Sequence, residues 1–188
     1  LKKIDDFNLH QFVLFFEKEI ANRKYSYSTT HRKIKKINIE IFGSQLPHLL
    51  GIHKSDNLPT KRPETLYKML LDGEITIDYL KSSDSHNLDL YKDRILLLPF
   101  FYQLFHQYSC GIKLVGQTNG DMYHRRKINM VFEKDHSSSV YLLELREKQK
   151  GSFTYVPTSI TVYRKGDSRL KTKCLPLQIV ELSITKLK

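Results

Sequence analysis

The chain has little of what cross-links, spans or tethers a protein. Two cysteines, Cys110 and Cys174, stand among 188 residues. They form no CxxC pair, which argues against a structural zinc site and fits a reducing compartment. A Cys110–Cys174 disulfide is open to the chain, but nothing in the sequence supports it. A membrane helix needs about 18 to 20 uninterrupted apolar residues. The most apolar stretch, Ile95 to Phe105, is about half that length, carries Pro99 and is flanked by Asp93, Arg94, His106 and Gln107. No hydrophobic secretory stretch opens the chain, although a start at Leu1 is compatible with a leader cut away. The expectation is no membrane association and a cytoplasmic location. There is no internal repeat, no GxxxxGK[ST] phosphate loop, no GxGxxG and no HExxH. The acidic residues do not cluster as a two-metal site would require. Asp5, Asp6, Asp78, Asp84 and Asp89 read as helix caps and exposed positions. Neither a metal nor a cofactor is expected.

Charge is what the chain does have. It carries 31 basic and 20 acidic residues, a formal +11, with 40% hydrophobic residues. That apolar share is enough to bury a core at this length, and a surplus of this size attracts polyanions. The surplus is uneven. Residues 1–60 hold 10 basic and 6 acidic residues, residues 61–110 hold 6 and 7, and residues 111–188 hold 15 and 7. A nucleic acid, with RNA foremost, is the partner this balance suggests.

The apolar periodicity changes along the chain. Leu9, Phe12, Val13, Phe16 and Ile20 fall on one face of a helix over 8–20. Ile37, Ile39 and Ile41 alternate with Asn38 and Glu40 as a half-buried strand over 36–42. A short helical turn covers Leu46 to Leu50, with Gly51 as its left-handed stop. Pro63 opens a helix that Gly73 ends, and Leu66, Met69 and Leu70 line its inner face. A small helix follows over 76–81. A long one is expected from Leu88 to Tyr108, kinked or split at Pro99. After Gly111 the pattern becomes β, with strands over 112–117, 127–133, 139–146, 158–164 and 177–184. Ile128, Met130 and Phe132 are expected to share a face, as are Val180, Leu182 and Ile184. Helices followed by a meander make an α+β protein. We expect one domain over 1–188, with 1–110 mainly helical and 111–188 an antiparallel sheet of four to five strands.

Three segments could carry chemistry. In His48-Leu-Leu-Gly-Ile-His53-Lys54, two imidazoles and an ammonium lie within seven residues around a glycine. Cleaving RNA without metal needs a base for the 2′-hydroxyl proton, an acid for the leaving 5′-oxygen and a cation for the phosphorane. Histidine titrates near neutrality and suits either proton role. In one continuous helix, however, residues five apart point roughly 140° away from each other, which would leave one ring structural. Tyr155-Val-Pro-Thr158-Ser159 places three hydroxyls where a late strand is expected to open. They would bind a phosphate, or else mark only a strand of good β propensity. Tyr123-His124-Arg125-Arg126-Lys127 follows a turn and reads as a phosphate-contacting flank with stacking rings. Arg146 and Arg164, on expected strands, would extend it. His31-Arg32-Lys33 with Lys35 and Lys36 reads as a solvated approach to the first strand.

The phrase HLLGIHK, with YKMLLDGEI, RILLLPFFYQLF and YVPTSI, resembles the phage barnase–EndoU–colicin–RelE-like nucleases, a phage and mobile-element group of toxin-like RNases. The resemblance spans roughly residues 5 to 184, and HLLGIHK is its most specific part. It implies N-terminal helices packed on a twisted antiparallel sheet, and metal-independent phosphodiester cleavage. It maps the histidine-bearing motif onto His48, His53 and Lys54, and the late strand onto Tyr155, Thr158 and Ser159. Which histidine is essential stays open. The expected activity is an endonuclease acting on RNA (tRNA, rRNA or mRNA). A non-catalytic RNA- or DNA-binding module and a domain bound by an acidic antitoxin or immunity protein are the rival readings.

Overall fold

The computed structural model describes residues 7–55, 57–83, 92–95, 99–106, 111–115, 122–171 and 174–187. The chain forms two compact units. One comprises Leu1–Asn22 and Phe42–Tyr102, the other Arg23–Ile41 and Gln103–Lys188. Every described strand falls in the second unit.

The first unit is helical. Helix α1 (Leu9–Glu19) starts where the Asn8 side chain accepts a hydrogen bond from the Gln11 N–H at 2.9 Å, satisfying one of the donors a helix start leaves unpaired. Its periodic face is buried as expected, at Leu9, Val13 and Phe16. The Phe16 ring meets that of Phe101 edge to face, 5.7 Å between centroids. A 3₁₀ turn (Gly43–Gln45) leads into α2 (Leu46–Leu50), and a second 3₁₀ turn (Ile52–Lys54) follows Gly51. Helix α3 (Pro63–Leu71) opens on Pro63, whose missing N–H costs nothing in a first turn. Gly73, at φ 75°, marks the stop after it. Tyr67 of α3 lies over Gly43, where an added Cβ would fall 2.1 Å from the ring, and its hydroxyl donates to Glu17 at 2.6 Å. Burial, then the Glu17 carboxylate, pushes the Tyr67 phenol far above its ordinary range. Helix α4 (Ile77–Ser83) sits where the small helix was expected. Of the long helix expected over 88–108, the described parts are a helical turn at 92–95 and α5 (Pro99–His106). Pro99 is the first described residue of the second part, and the kink or split expected at it lies outside the described residues.

Among the described residues the second unit has eight strands, which corrects the expected four to five. They are β1 (Arg23–Thr29), β2 (Lys36–Ile41), β3 (Gly111–Val115), β4 (Met130–His136), β5 (Ser139–Glu147), β6 (Thr154–Arg164), β7 (Cys174–Leu177) and β8 (Ile179–Lys186). Their order is β7-β3-β4-β5-β6-β2-β1-β8. The sheet is mixed rather than antiparallel, because β2 runs parallel to β6 through Asn38↔Thr154 and Ile39↔Tyr155. The terminal strands of this order, β7 and β8, are one chain segment divided only by Gln178, which pairs with β3 on one side and β1 on the other. The sheet consequently curls back on itself. A cavity of about 450 Å³ lies beside this seam, lined by Tyr27, Leu104, Ile112, Phe132, Leu177 and Ile179 among others.

Both faces of the central strands are covered. On one, Tyr25 meets Phe105 at 4.6 Å between ring centroids, and Phe105 meets Phe132 at 6.0 Å. On the other, Val131, Val140, Leu142 and Tyr163 pack with Tyr123 and Ile128. Ile128 thus departs from Met130 and Phe132. Lys127, at φ 56°, breaks the alternation, and the strand begins only at Met130. Leu182 and Ile184 share a side of β8, opposite Tyr27 and Tyr25 of β1, whereas Val180 falls at a register slip between β8 and β1. Val180 is 68% exposed. Cys174 is half-buried at the start of β7, and Cys110 lies outside the described residues.

Candidate active site and nucleic-acid interface

The HLLGIHK segment does not form one helix. Gly51 takes φ 83° and ψ 2°, the left-handed conformation that a residue with a Cβ adopts only at a cost. It ends α2 and redirects the chain into the 3₁₀ turn that carries His53 and Lys54. The imidazoles of His48 and His53, which a continuous helix would set about 140° apart, instead stack at 4.2 Å between centroids with a 28° tilt. His48 and Lys54 are exposed and His53 is half-buried. His53 Nδ1 lies 3.5 Å from the Pro47 carbonyl, a long contact that favours the proton on Nδ1 and leaves Nε2 as the basic nitrogen. Burial holds the His53 pKa below its ordinary value, with the charges of His48, Lys54 and Arg94 acting in the same direction. The Pro47 carbonyl opposes them.

Two residues at this turn escape sequence reasoning. Arg94, from the helical turn at 92–95, lays its guanidinium against Gly51, where an added Cβ would sit 3.1 Å from Nη1. Lys61 donates from Nζ to the Ser55 carbonyl and, at 3.4 Å, to that of His53, fixing the exit of the turn. Neither stands inside the motif, and no spacing links them to it. Among the described residues, no group of three His, Cys, Asp or Glu side chains is arranged to hold a metal ion.

The remaining site residues belong to the sheet unit. Thr158 and Ser159 do not open a strand. Strand β6 begins at Thr154, and both lie within it where the register with β5 slips, Glu144 facing Ser159 and Leu145 facing Pro157. Thr158 is the extra residue of this bulge, a place where proline beside it is tolerated. Its hydroxyl donates to the Glu144 carbonyl at 3.0 Å, and that of Ser159 to the Ile160 carbonyl at 3.4 Å. Their hydroxyl protons thus serve the sheet. Tyr155 is buried, and burial, then the Glu147 charge, pushes its phenol up to about 12. It stays protonated at neutral pH.

The basic flank divides likewise. Tyr123 turns inward and is 2% exposed, so its ring is not offered for stacking; burial and then Glu144 raise its pKa well above the ordinary phenol value. His124, Arg125, Arg126 and Lys127 are exposed, as are Arg146 and Arg164. Arg126 reaches Glu144 with both guanidinium nitrogens, Nη1 at 3.0 Å from Oε1 and Nη2 against Oε2. Thr161 adds a hydroxyl at 3.3 Å from Oε1. Glu144, fully buried, is the residue that sequence reading missed here. On β5 it follows Val140 and Leu142 at strand period, and a carboxylate on an apolar face is the signal that could have found it.

Charge divides more sharply by unit than by sequence segment. The helical unit holds 10 basic and 12 acidic residues, −2, whereas the sheet unit holds 21 and 8, +13. The first unit thus carries the paired imidazoles and the second unit the cationic surplus. The chain belongs to the phage-Barnase-EndoU-ColicinE5/D-RelE like nuclease 4 family, whose model matches residues 8–180. It is thus a member of a nuclease family with an α+β fold. No curated protein and no solved structure gives a significant match to the chain. Among the described residues, no helix is long and apolar enough to cross a membrane.

Proposed function

We propose that this nuclease is a metal-independent endoribonuclease whose proton carriers are His48 and His53. The observation that carries the reading is the stacked imidazole pair, in which the protonated form of His53 is disfavoured. A histidine held neutral is a competent base at neutral pH. His53 Nε2 takes the proton of a ribose 2′-hydroxyl, the 2′-oxygen bonds to phosphorus, and the bond from phosphorus to the 5′-oxygen breaks. His48, exposed beside it, gives its proton to the leaving 5′-oxygen, and Lys54 supplies fixed positive charge to the phosphorane. The products are a 2′,3′-cyclic phosphate and a 5′-hydroxyl. His124, Arg125, Lys127, Arg146 and Arg164 supply backbone contacts from the sheet unit. A cytoplasmic site of action, where tRNA and mRNA are the available substrates, suits this chemistry.

The test is incubation with a panel of tRNA, rRNA and mRNA in EDTA, with product ends analysed. Cleavage to cyclic phosphates that is lost in His53→Ala supports the reading. Cleavage that stops when chelator is added makes the protein a metal enzyme instead.

A second reading, a non-catalytic RNA- or DNA-binding module, draws on the location of the charge. The surplus resides in the sheet unit and not in the unit that bears the histidines. It predicts salt-sensitive binding that survives His48→Ala and His53→Ala with no product formed. An acidic antitoxin or immunity protein would compete for the same cationic surface, and co-purification of such a partner in stoichiometric amount would support it.

A further inference from the structure

We infer that the turn at Gly51 is a phosphate-binding site in which Arg94 holds the oxyanion beside the His48–His53 pair; the inference rests on the proposed ribonuclease reading of that pair and deepens it. Glycine at position 51 is favoured on two counts. Its φ of 83° is unfavourable for any residue with a Cβ, and such a Cβ would come within 3.1 Å of Arg94 Nη1 and 3.7 Å of Cδ and Cζ. A bare Cα lets the guanidinium lie against the turn without the small shift that a Cβ would demand. The same turn carries His48 before the glycine and His53 and Lys54 after it. Arg94 therefore sits between the elements that present both imidazoles, close enough for its charge to disfavour the imidazolium of His53.

A planar guanidinium offers a rigid fork to two oxygens of one phosphate, which an ammonium does not. Among the described residues, the charges that act on His53 are those of its stacking partner His48, its neighbour Lys54 and Arg94 from the helical turn, and the Lys61 ammonium lies at its carbonyl. All are basic. An anion entering this turn relieves their mutual repulsion and raises the pKa of the imidazoles it touches. The ligand class is a phosphate of a nucleic-acid backbone, and a substrate phosphate bound here would itself promote the protonated form that the acid step needs.

The experiment is a titration of the intact chain with inorganic phosphate, followed through the imidazole carbon-bound protons by NMR. In the unaltered protein, phosphate shifts both the His48 and His53 signals and raises the His53 pKa. Arg94→Gln weakens phosphate binding at least tenfold, and in the absence of phosphate it raises the His53 pKa, because a neighbouring cation is gone. Arg94→Lys, which keeps the charge but not the fork, retains the His53 pKa and loses part of the affinity. A dispersed spectrum in either variant shows that the fold persists. Unchanged phosphate affinity in Arg94→Gln, or no response of either histidine in the unaltered protein, overturns the inference. RNA cleavage in EDTA with phosphate-insensitive histidines would sink the Arg94 site alone. Phosphate binding that depends on Arg94, with no RNA cleaved, would sustain the site and remove the ribonuclease reading.

Discussion

Replacing Gly51 by alanine tests how the sequence builds its imidazole pair. Left-handed backbone costs a residue with a Cβ roughly 1–2 kcal/mol. The new methyl would also meet Arg94 Nη1 at 3.1 Å, a contact that the end of a flexible side chain relieves by a small shift. The stiffer unfolded chain of the alanine variant offsets about 0.4–1 kcal/mol of this loss. The net expectation is about 1 kcal/mol, roughly fivefold in the folding equilibrium. Asparagine tolerates the left-handed region better than alanine, so Gly51→Asn should lose less. Urea unfolding at pH 7 measures the order, glycine above asparagine above alanine, with unchanged slopes against denaturant. Nuclease activity should fall further than stability does, because the turn sets the ring separation of 4.2 Å. An alanine variant as stable as the unaltered protein, or an asparagine variant weaker than the alanine one, would refute the left-handed turn and with it the stacked pair.

Arg126→Met takes the guanidinium away from the fully buried Glu144 carboxylate and should cost about 3 kcal/mol in urea unfolding; the partial exposure of Arg126 puts this at the low end. The double variant Arg126→Met with Glu144→Met should recover most of that loss, and equal losses in single and double variants would contradict the pairing. Gly43→Ala drives a methyl into the Tyr67 ring and displaces its hydroxyl from Glu17. A loss of about 2–3 kcal/mol is expected, read by thermal unfolding. His53 has its pKa lowered in the folded state, so below about pH 6.5 the unfolded chain binds the proton more readily. This contribution is neutral above that pH and destabilising as pH falls through the window between the two pKa values. His53→Gln should flatten that part of the stability–pH curve.

Much of the helical unit was legible because its signals are local. The apolar spacing of α1, Pro63 at the start of α3, and Gly51 as a left-handed stop after Leu50 each follow from one stretch of chain. Gly51 also shows the limit of that reading. Its conformation was foreseen, but its effect on His48 and His53 depends on the turn after it, so the rings stack where a helix would part them. In the sheet, β1 carries Tyr25, Tyr27 and Thr29 at strand period, yet its Arg, Lys and Ser residues hide it in a basic stretch. The four-residue β7 carries Pro176, which speaks against a strand except at an edge or bulge. The parallel pairing of β2 with β6 joins residues far apart in sequence, and no short-range pattern encodes it. Tyr123 leads directly into His124, Arg125, Arg126 and Lys127, so composition suggests an exposed stacking ring; only the short helical turn at Met122–Arg125 aims it into the core. Arg94 and Glu144 reach their partners through folded geometry, with no motif to link them.

The central claim is that the His48–His53 pair cleaves RNA without metal. The most direct measurement is end analysis of RNA treated in EDTA with the unaltered chain and with His53→Ala. The account predicts 2′,3′-cyclic phosphate and 5′-hydroxyl ends from the unaltered chain and a loss of at least a hundredfold in rate from the variant, the lower end of what a proton carrier contributes. Equal rates in the two proteins, or cleavage that appears only with added divalent metal, would contradict it.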